Sequence, residues 1–383
     1  MDFDLPQDVA ELRDAAREFA ERELAPRAAR TDEEESFVEE QWKALAEGGW
    51  SGMSIPEAYG GGGLSAIATS TVLVEFARAC AASAVTLSVH LGLAAQALIR
   101  YGNDEQRRRL LPRLASGEWI GAYALSEAGS GSDAAALRCA ATPDGKGGYV
   151  LDGTKLWITS GDHAGLIVVF ARTTPDARAK GITALLVETS SPGFHAGKKE
   201  RKMGIRGSST VELRFSGCRV PRENVLGEVD DGFAVAMGLL DSGRIGIASQ
   251  AIGISSACLD ASIKYAKERT QFGRPIAEFQ EIRSKIAEMA LRIESSRLLT
   301  LRAAWLKDEG RPHTMEASMA KLEASRTADF CAKEAVQIHG GAGYTKEFPV
   351  ERWFRDARVT EIYEGTTEIQ SLVISREVLR AAP

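Results

Sequence analysis

Arg355-Asp-Ala-Arg-Val-Thr-Glu-Ile-Tyr-Glu-Gly-Thr-Thr-Glu-Ile-Gln370 lies near the C-terminal end of the chain and holds its most informative acidic residue. Within it, Glu364 is followed by Gly365 and two threonines, a pattern typical of a turn that leads into a new helix. A carboxylate in such a turn can project into a cleft. The alternative is an exposed loop acid, or an ion-pair partner of Arg355 or Arg358, and the local pattern leaves both interpretations open.

The composition excludes several classes of function. The 383 residues are 44% hydrophobic and 26% charged, and the net charge of −6 predicts no surface for nucleic acid. Five scattered cysteines and five dispersed histidines form no disulfide frame and no metal-binding motif. A Gly-x-Ser-x-Gly elbow and a phosphate-binding Gly-Lys-Ser/Thr loop are both missing from the sequence. No uncharged apolar run approaches the ~18 residues of a membrane span, and the chain starts in an amphipathic helical pattern, so we expect a cytoplasmic protein without a membrane partner.

The hydrophobic period changes twice along the chain. Residues 1–117 show helical spacing, and Pro26 is expected to bend or end the first helix. Residues 118–230 contain short β-branched runs such as Leu166-Ile-Val-Val-Phe170, and residues 231–383 return to helix. The helices expected there cover about 233–268, 280–308 and 312–338, with a last one after Thr366. This helix, sheet, helix order predicts an α+β fold and disfavours a nicotinamide-binding Rossmann fold.

Three further stretches could bind a ligand. Tyr123-Ala-Leu-Ser-Glu-Ala-Gly-Ser-Gly-Ser-Asp133 follows a predicted strand, and its N–H groups and hydroxyls could hold a pyrophosphate or a ring edge, although such a sequence is more often an ordinary loop. Trp157-Ile-Thr159 lies on the next predicted hairpin, where a core tryptophan is the plain alternative. In Asp241-Ser-Gly-Arg244, the glycine costs a helix ~1 kcal/mol relative to alanine, and small residues at this point would leave room for a ligand.

Together these motifs resemble those of the flavin-dependent acyl-CoA dehydrogenases. Ile362-Tyr-Glu-Gly-Thr-Thr-Glu-Ile-Gln370 is similar to the segment that carries the catalytic base of that family, and Leu125-Ser-Glu-Ala-Gly-Ser-Gly-Ser-Asp133 is similar to its first signature. Gln337-Ile-His-Gly-Gly341 begins a stretch that fits the second signature. The resemblance covers essentially the whole chain, with at least five motifs in the family order. It implies an N-terminal helical domain, a middle β-domain and a C-terminal four-helix-bundle domain, and it is greatest to the short-chain, butyryl-CoA type members.

The resemblance also implies roles for individual residues. Glu364 would be the catalytic base, while Gly243 occupies the position where isovaleryl-type and long-chain members carry theirs and cannot take a proton. The implied FAD contacts are Tyr123, Leu125, Ser126, Gly131, Ser132, Trp157, Ile158, Thr159, Arg269, Gln271, Phe272, Gln280, Gln337, Gly340, Gly341, Thr366 and Glu368. The implied substrate contacts are Ser132, Asp241, Gly243, Arg244, Tyr363 and Gly365.

The implied reaction is the α,β-dehydrogenation of a short-chain acyl-CoA, straight or branched, in fatty acid β-oxidation. Glu364 would remove the α-proton while flavin N5 takes the β-hydride, and an electron-transfer flavoprotein would accept the electrons. The segment around Arg269 resembles one that reaches another protomer's FAD, which implies at least a dimer and usually a homotetramer, a dimer of dimers. A same-fold oxidase, a dehydrogenase of carrier-bound acyl groups and a non-catalytic FAD-binding assembly protein remain alternatives.

Overall fold

The computed structural model describes residues 4–381, and the first part of the chain forms a layer of helices. These are α1 Gln7–Phe19, α2 Ala25–Glu33, α3 Glu39–Glu47, α4 Ala66–Ala79, α5 Ala81–Val89, α6 Gln96–Tyr101 and α7 Asp104–Ala115. α7 begins with a capping box, in which the side chain of Asn103 accepts from the N–H of Gln106 and the Gln106 side chain accepts from the N–H of Asn103. The leucines of α7 that follow are buried against the rest of the layer.

Of the two outcomes expected at Pro26, a bend or an end of the first helix, the end does not occur. The chain passes from α1 through a π-helical turn, Ala20–Leu24, directly into α2, where Pro26 lies in the first turn. The missing N–H of a proline is tolerated in a first turn because the N–H groups there have no intrahelical acceptor. The π turn therefore absorbs the proline and the chain continues as helix.

The second part of the chain is one eight-stranded sheet. Its strands are β1 Ile120–Ala124, β2 Ala140–Pro143, β3 Tyr149–Thr159, β4 Ala164–Arg172, β5 Ile182–Glu188, β6 Phe194–Lys199, β7 Thr210–Val220 and β8 Val225–Leu226. They are ordered β6-β7-β3-β2-β4-β5-β8, and β1 pairs in parallel with β4. β4 and β5 are buried on both faces, which explains their continuous apolar runs, whereas β7 alternates buried and exposed residues.

The third part is a helical bundle. Its helices are α8 Gly232–Glu268, α9 Gln280–Asp308, α10 Thr314–His339, α11 Val350–Ala357 and α12 Thr367–Ala381, and a small hairpin of β9 Thr270–Gln271 and β10 Arg274–Pro275 connects α8 to α9. α10 packs against α8, α9 and α12, as expected for the predicted four-helix bundle. Buried alanines at 317, 320, 324 and 328 face these neighbours and let the helices approach closely.

One helical stretch of the core has the length and hydropathy of a membrane span. Ala81–Tyr101 runs through α5, a π-helical turn and α6, with a mean hydropathy of 1.5, although polar residues such as Ser83, His90 and Gln96 interrupt its apolar run. However, 83% of its apolar window is buried inside the protein. Its hydropathy is therefore that of a core helix packed on every side.

The three parts meet at the end of α11. Arg355 donates to both carboxylate oxygens of Asp32 in α2, at 2.9 and 2.6 Å. Asp356 accepts a hydrogen bond from the main-chain N–H of Ile205, in the loop between β6 and β7. A Cβ at Gly204 would lie 2.2 Å from the carbonyl oxygen of Arg355, so only glycine allows this approach. The junction lies immediately before the loop that carries Glu364.

Candidate active site

Glu364 occupies a strained turn between α11 and α12. Its φ is +50°, and that of Gly365 is +96°. A left-handed residue other than glycine costs about 1–3 kcal/mol and persists only where its surroundings enforce it. Oε2 of Glu364 is sealed from solvent and has no hydrogen-bond partner among residues 4–381. The structure rules out the ion-pair alternative, because Arg355 pairs with Asp32 and Glu351 and Arg358 with Asp329 and Glu361.

Gly243 in α8 faces this carboxylate. A Cβ built on Gly243 would lie 2.1 Å from Oε2 of Glu364 and 2.9 Å from Cδ2 of Leu93. The sequence analysis expected small residues here to leave room for a ligand, and the structure shows that Glu364 itself enters that room. The glycine at 243 and the glutamate at 364 therefore depend on each other sterically.

Burial and the neighbouring cations shift the pKa of Glu364 in opposite directions. Burial raises the pKa of the Glu364 carboxyl to about 7, while the nearby cations Lys321 and Arg244 oppose the rise. Arg244 is itself neutralised, since its guanidinium donates to Asp241 at 2.7 Å and to the Ser318 hydroxyl at 3.2 Å. A carboxyl group with this pKa can exist in both protonation states near neutral pH, which is the property of a general base.

Several predicted substrate contacts surround the carboxylate. Asp241 holds Arg244 with one oxygen and accepts from the Thr314 hydroxyl with the other, which ties α8 to α10. The hydroxyl of Tyr363 donates to Oε1 of the fully buried Gln250. Gly243, Arg244, Tyr363 and Gly365 thus adjoin Glu364. Ser132 is instead exposed, on the loop of residues 125–133 that follows β1 and is called the Ser/Gly loop below.

Two residues that the sequence analysis missed hold the turn. Nζ of Lys321, from α10, donates to the carbonyl oxygen of Gly365 at 2.7 Å. Nε2 of Gln370, from α12, donates to the carbonyls of Glu364 at 3.1 Å and Gly365 at 2.9 Å. Lys321 was detectable in principle, because it is a charged residue at a buried position of an alanine-rich helical stripe.

The Ser/Gly loop follows β1 and is anchored by a buried ion pair. Nζ of Lys155 donates to Oε1 of Glu127 at 2.7 Å and to the carbonyl of Leu125 at 3.0 Å, and Lys155 is fully buried. Glu127 also accepts from the N–H groups of Arg138 and Cys139. Neither Lys155 nor Glu127 was singled out from the sequence. The pair fixes the backbone of Leu125 and Ser126, while Gly131 and Ser132 remain exposed.

Trp157 is not the core tryptophan of the plain alternative. It is 55% exposed and left-handed, with φ +60°, and the neighbouring N–H of Leu156 donates to the carbonyl of Ser126 at 2.9 Å. The indole is thereby presented beside the Ser/Gly loop. The side chain of Ile158 is buried in the core of the sheet, so it could meet a cofactor only through its backbone. Thr159 ends the same strand and is half-buried.

A second group of predicted cofactor residues lies at the opposite end of the bundle. Arg269 follows Gly243 by 26 residues, and the 25 of them that lie along α8 span ~38 Å at ~1.5 Å per residue. The rings of Tyr265 and His339 stack at 4.3 Å, so the end of α10 adjoins the end of α8. Exposed at this end are Arg269, Gln271, Phe272, Gln280, Gln337, Gly340 and Gly341. Thr366 and Glu368 lie at the start of α12, next to Glu364 in the sequence, and so belong to the end of the bundle that holds the base.

The helix, sheet, helix order and the enclosed carboxylate oxygen of Glu364 agree with the flavoprotein dehydrogenases that the motifs of the sequence resemble. Family models match the chain in three consecutive segments: acyl-CoA dehydrogenase N-terminal domain at residues 6–118, middle domain at 122–218 and C-terminal domain at 230–379. The chain belongs to the acyl-CoA dehydrogenase family and is an oxidoreductase.

Similar proteins include short-chain members of the family. The mitochondrial short-chain specific acyl-CoA dehydrogenase of Mus musculus is 49% identical over 99% of this chain and 92% of its own. The acryloyl-CoA reductase (NADH) of Anaerotignum propionicum is 48% identical over 99% of this chain and 96% of its own. The structure of butyryl-CoA dehydrogenase from Megasphaera elsdenii superposes with a TM-score of 0.97 at 41% identity, covering 99% of this chain and 100% of that one.

Proposed function

We propose that this protein removes two hydrogens across the Cα–Cβ bond of a short-chain acyl-CoA and releases the trans-2-enoyl-CoA. The observation that carries the proposal is the unpartnered carboxylate of Glu364 opposite Gly243. The α-proton of a saturated thioester is weakly acidic, and its removal requires a base with a pKa near the working pH. Burial gives Glu364 a pKa of about 7.

The residues present fit FAD, which accepts a hydride when bound. Leu125, Ser126 and the exposed face of Trp157 would hold the flavin ring, since the Lys155 network fixes their backbone. A Cβ at Gly131, Gly340 or Gly341 would meet nothing within 4 Å. These glycines therefore offer open backbone to the region between FAD and CoA and to the pyrophosphate side.

The main chain of Glu364 supplies a donor for the thioester. Within the described residues its N–H donates to no acceptor. In our proposal this N–H binds the thioester carbonyl, which develops negative charge as the α-proton leaves. Because base and donor belong to one residue, the strained turn fixes the proton-accepting oxygen relative to the carbonyl. Arg244 and Asp241, held rigid by their ion pair, would line the substrate path.

Buried polar groups next to the base favour a short acyl group. Tyr363 donates to Gln250, and Nε2 of Gln250 donates to the carbonyl of Ala81 at 3.4 Å. A cavity extended in this direction would break these bonds and leave buried polar atoms unpaired, at about 1–3 kcal/mol each. Leu93 closes the space next to Gly243. We therefore propose acyl groups of about butyryl size, straight or branched, as the substrates.

The two groups of cofactor residues support an assembly of at least two subunits. One chain places its base about 38 Å along α8 from the Arg269 hairpin, a distance longer than an extended FAD molecule. We therefore propose that the hairpin, with Phe272 94% exposed at its tip, completes the FAD site of a partner subunit. In a homotetramer built as a dimer of dimers, each of the four FAD sites would be completed by the hairpin of a partner subunit.

An electron-transfer flavoprotein is the acceptor that we propose, with β-oxidation as the pathway; the cytoplasmic location stays a prediction. The same residues would serve the reverse reaction, reduction of a short 2-enoyl-CoA, which the name of the Anaerotignum propionicum relative describes for that protein. Direct transfer to oxygen, an acyl group on a carrier protein and a non-catalytic FAD-binding role are distinguished by experiment.

The test is anaerobic addition of acyl-CoAs, from butyryl to octanoyl with isobutyryl and isovaleryl, to the purified yellow protein. Rapid bleaching of the flavin band by the short members is expected, because the band reports hydride transfer. The matched control is Glu364→Gln, which should keep the flavin and lose the bleaching. If no acyl-CoA bleaches the bound flavin, the proposed reaction is wrong. Oxygen consumption with substrate would identify an oxidase.

A further inference from the structure

Lys321 is a fully buried lysine that the reaction as proposed does not use. It lies on α10 between buried Ala320 and Ala324, and its Nζ donates to the Gly365 carbonyl at 2.7 Å. A buried ammonium group is costly and rare unless it is paired. A neutral carbonyl does not balance its charge, so the charge must act on another group nearby.

Side chains of α10 bind the turn that carries Glu364 at both of its ends. The hydroxyl of Ser325, one helical turn after Lys321, donates to the carbonyl of Thr360 at 2.8 Å. Lys321 holds the carbonyl of Gly365, and Gln370 holds the same carbonyl from α12. The left-handed turn is thus fixed across residues 360–365. Of the two side chains shown to bind the Gly365 carbonyl, that of Lys321 is charged and that of Gln370 is neutral.

We propose that Lys321 is a positioning residue for the base: it holds the strained turn through the Gly365 carbonyl and places a buried positive charge beside the residue that carries the base. This inference rests on the assignment of Glu364 as the base in the proposed function. Arg244 contributes less of the required positive charge, because Asp241 neutralises it.

The electrostatics agree with this role. Burial raises the pKa of Glu364 to about 7, and Lys321 is the foremost group that lowers it again. Burial lowers the pKa of Lys321 to about 8, opposed by the charge of Glu364. Each of the two groups therefore favours the charged form of the other. The titratable groups around the pair are Tyr123 from β1, Asp241 and Arg244 from α8, Glu361 and Tyr363 from the turn, and Glu368 and Arg376 from α12.

The experiment is an infrared titration of Glu364 in the holoenzyme, using the carbonyl band of the protonated carboxyl that Glu364→Gln lacks. In Lys321→Met the midpoint is expected to rise by on the order of one pH unit, because an opposite charge close by has been removed. Lys321→Arg, which keeps the charge, should restore the midpoint. Lys321→Gln keeps a donor without charge and should also raise it, so the test survives if the methionine variant does not fold.

Gln370→Met is the matched control, since it removes a clamp on the same carbonyl without changing charge. It should slow flavin reduction while leaving the midpoint near that of the wild type. The acid limb of the flavin-reduction rate should follow the infrared midpoint in every variant. Equal midpoints in the wild type and both uncharged variants would overturn the inference, as would an equal rise in Gln370→Met. The titration needs no turnover, so failure of the proposed reaction is recognised separately by an unreactive wild type.

Discussion

Replacement of Gly243 by alanine tests the geometry of the base most directly. The new Cβ would lie 2.1 Å from Oε2 of Glu364, whereas ordinary contact begins at 3.4 Å. The carboxylate therefore has to retreat from 2.1 to 3.4 Å, a movement of about 1.3 Å. Cδ2 of Leu93 would lie 2.9 Å from the new Cβ, so the alanine also lacks space on the side of Leu93.

A displacement of this size has a large effect on rate and a small one on stability. Misplacing a reacting group by about 1 Å can cost ~10²-fold, so flavin reduction is expected to slow about 100-fold, or about 2.7 kcal/mol in activation free energy. Alanine in a helix interior is favoured over glycine by about 1 kcal/mol, which offsets part of the clash. The melting temperature should therefore change little.

The assay is stopped-flow flavin reduction under anaerobic conditions at saturating acyl-CoA, together with thermal unfolding. Gly246→Ala is the matched control, because it lies three residues further along α8 and its Cβ would meet the Ser88 hydroxyl at 2.3 Å instead of Glu364. The control should keep a rate close to that of the wild type. A wild-type rate in Gly243→Ala would refute the assignment of Glu364, in this position, as the base.

Three further predictions concern the base, the flavin loop and the assembly. Glu364→Gln should stabilise the protein by at most about 3 kcal/mol above pH 7, because a folded pKa of about 7 against 4.5 makes ionisation cost stability. That gain should shrink as the pH falls from 7 to 4.5, and denaturant unfolding at several pH values would measure it. Lys155→Met should cost about 3–5 kcal/mol and release FAD, since it leaves Glu127 buried without its cation; flavin retention after gel filtration and urea unfolding would show it, and unchanged retention would contradict the role of the network. Phe272→Ala should weaken FAD retention without altering the circular dichroism of the chain, and equal retention would argue against a hairpin shared between subunits.

The sequence predicts the architecture well where the signal is periodic. Helical spacing over 233–268 corresponds to α8 at Gly232–Glu268, and the β-branched runs correspond to β4 and β5. At Pro26 it left a bend and an end of the helix open, and the structure shows a π-helical turn before the proline and continued helix after it. The difference has a physical origin, because periodicity averages over many residues whereas one hydrogen-bond shift depends on its local packing.

The residues of the candidate site also differ in whether the sequence could predict them. Gly243 and Glu364 could be paired from the motif that each occupies, and the structure places them in contact. Lys321 and Gln370 could not, because a single buried lysine or glutamine has no periodic signature and its partner is a main-chain carbonyl. For Trp157 the local rule that buries tryptophan gave the wrong environment, since the indole is presented to a site instead of the core.

The turn at Glu364 also explains why a short motif is not sufficient to make a base. Left-handed backbone, a raised pKa and an unpartnered oxygen each destabilise the folded chain. The supports that hold this state come from α8 through Gln250, from α10 through Lys321 and from α12 through Gln370. Since these helices are far apart in sequence, the motif can act only in the complete bundle. Substitutions that relax the turn should therefore gain stability as they lose activity, which is the opposite of what the same substitutions would do in an ordinary loop.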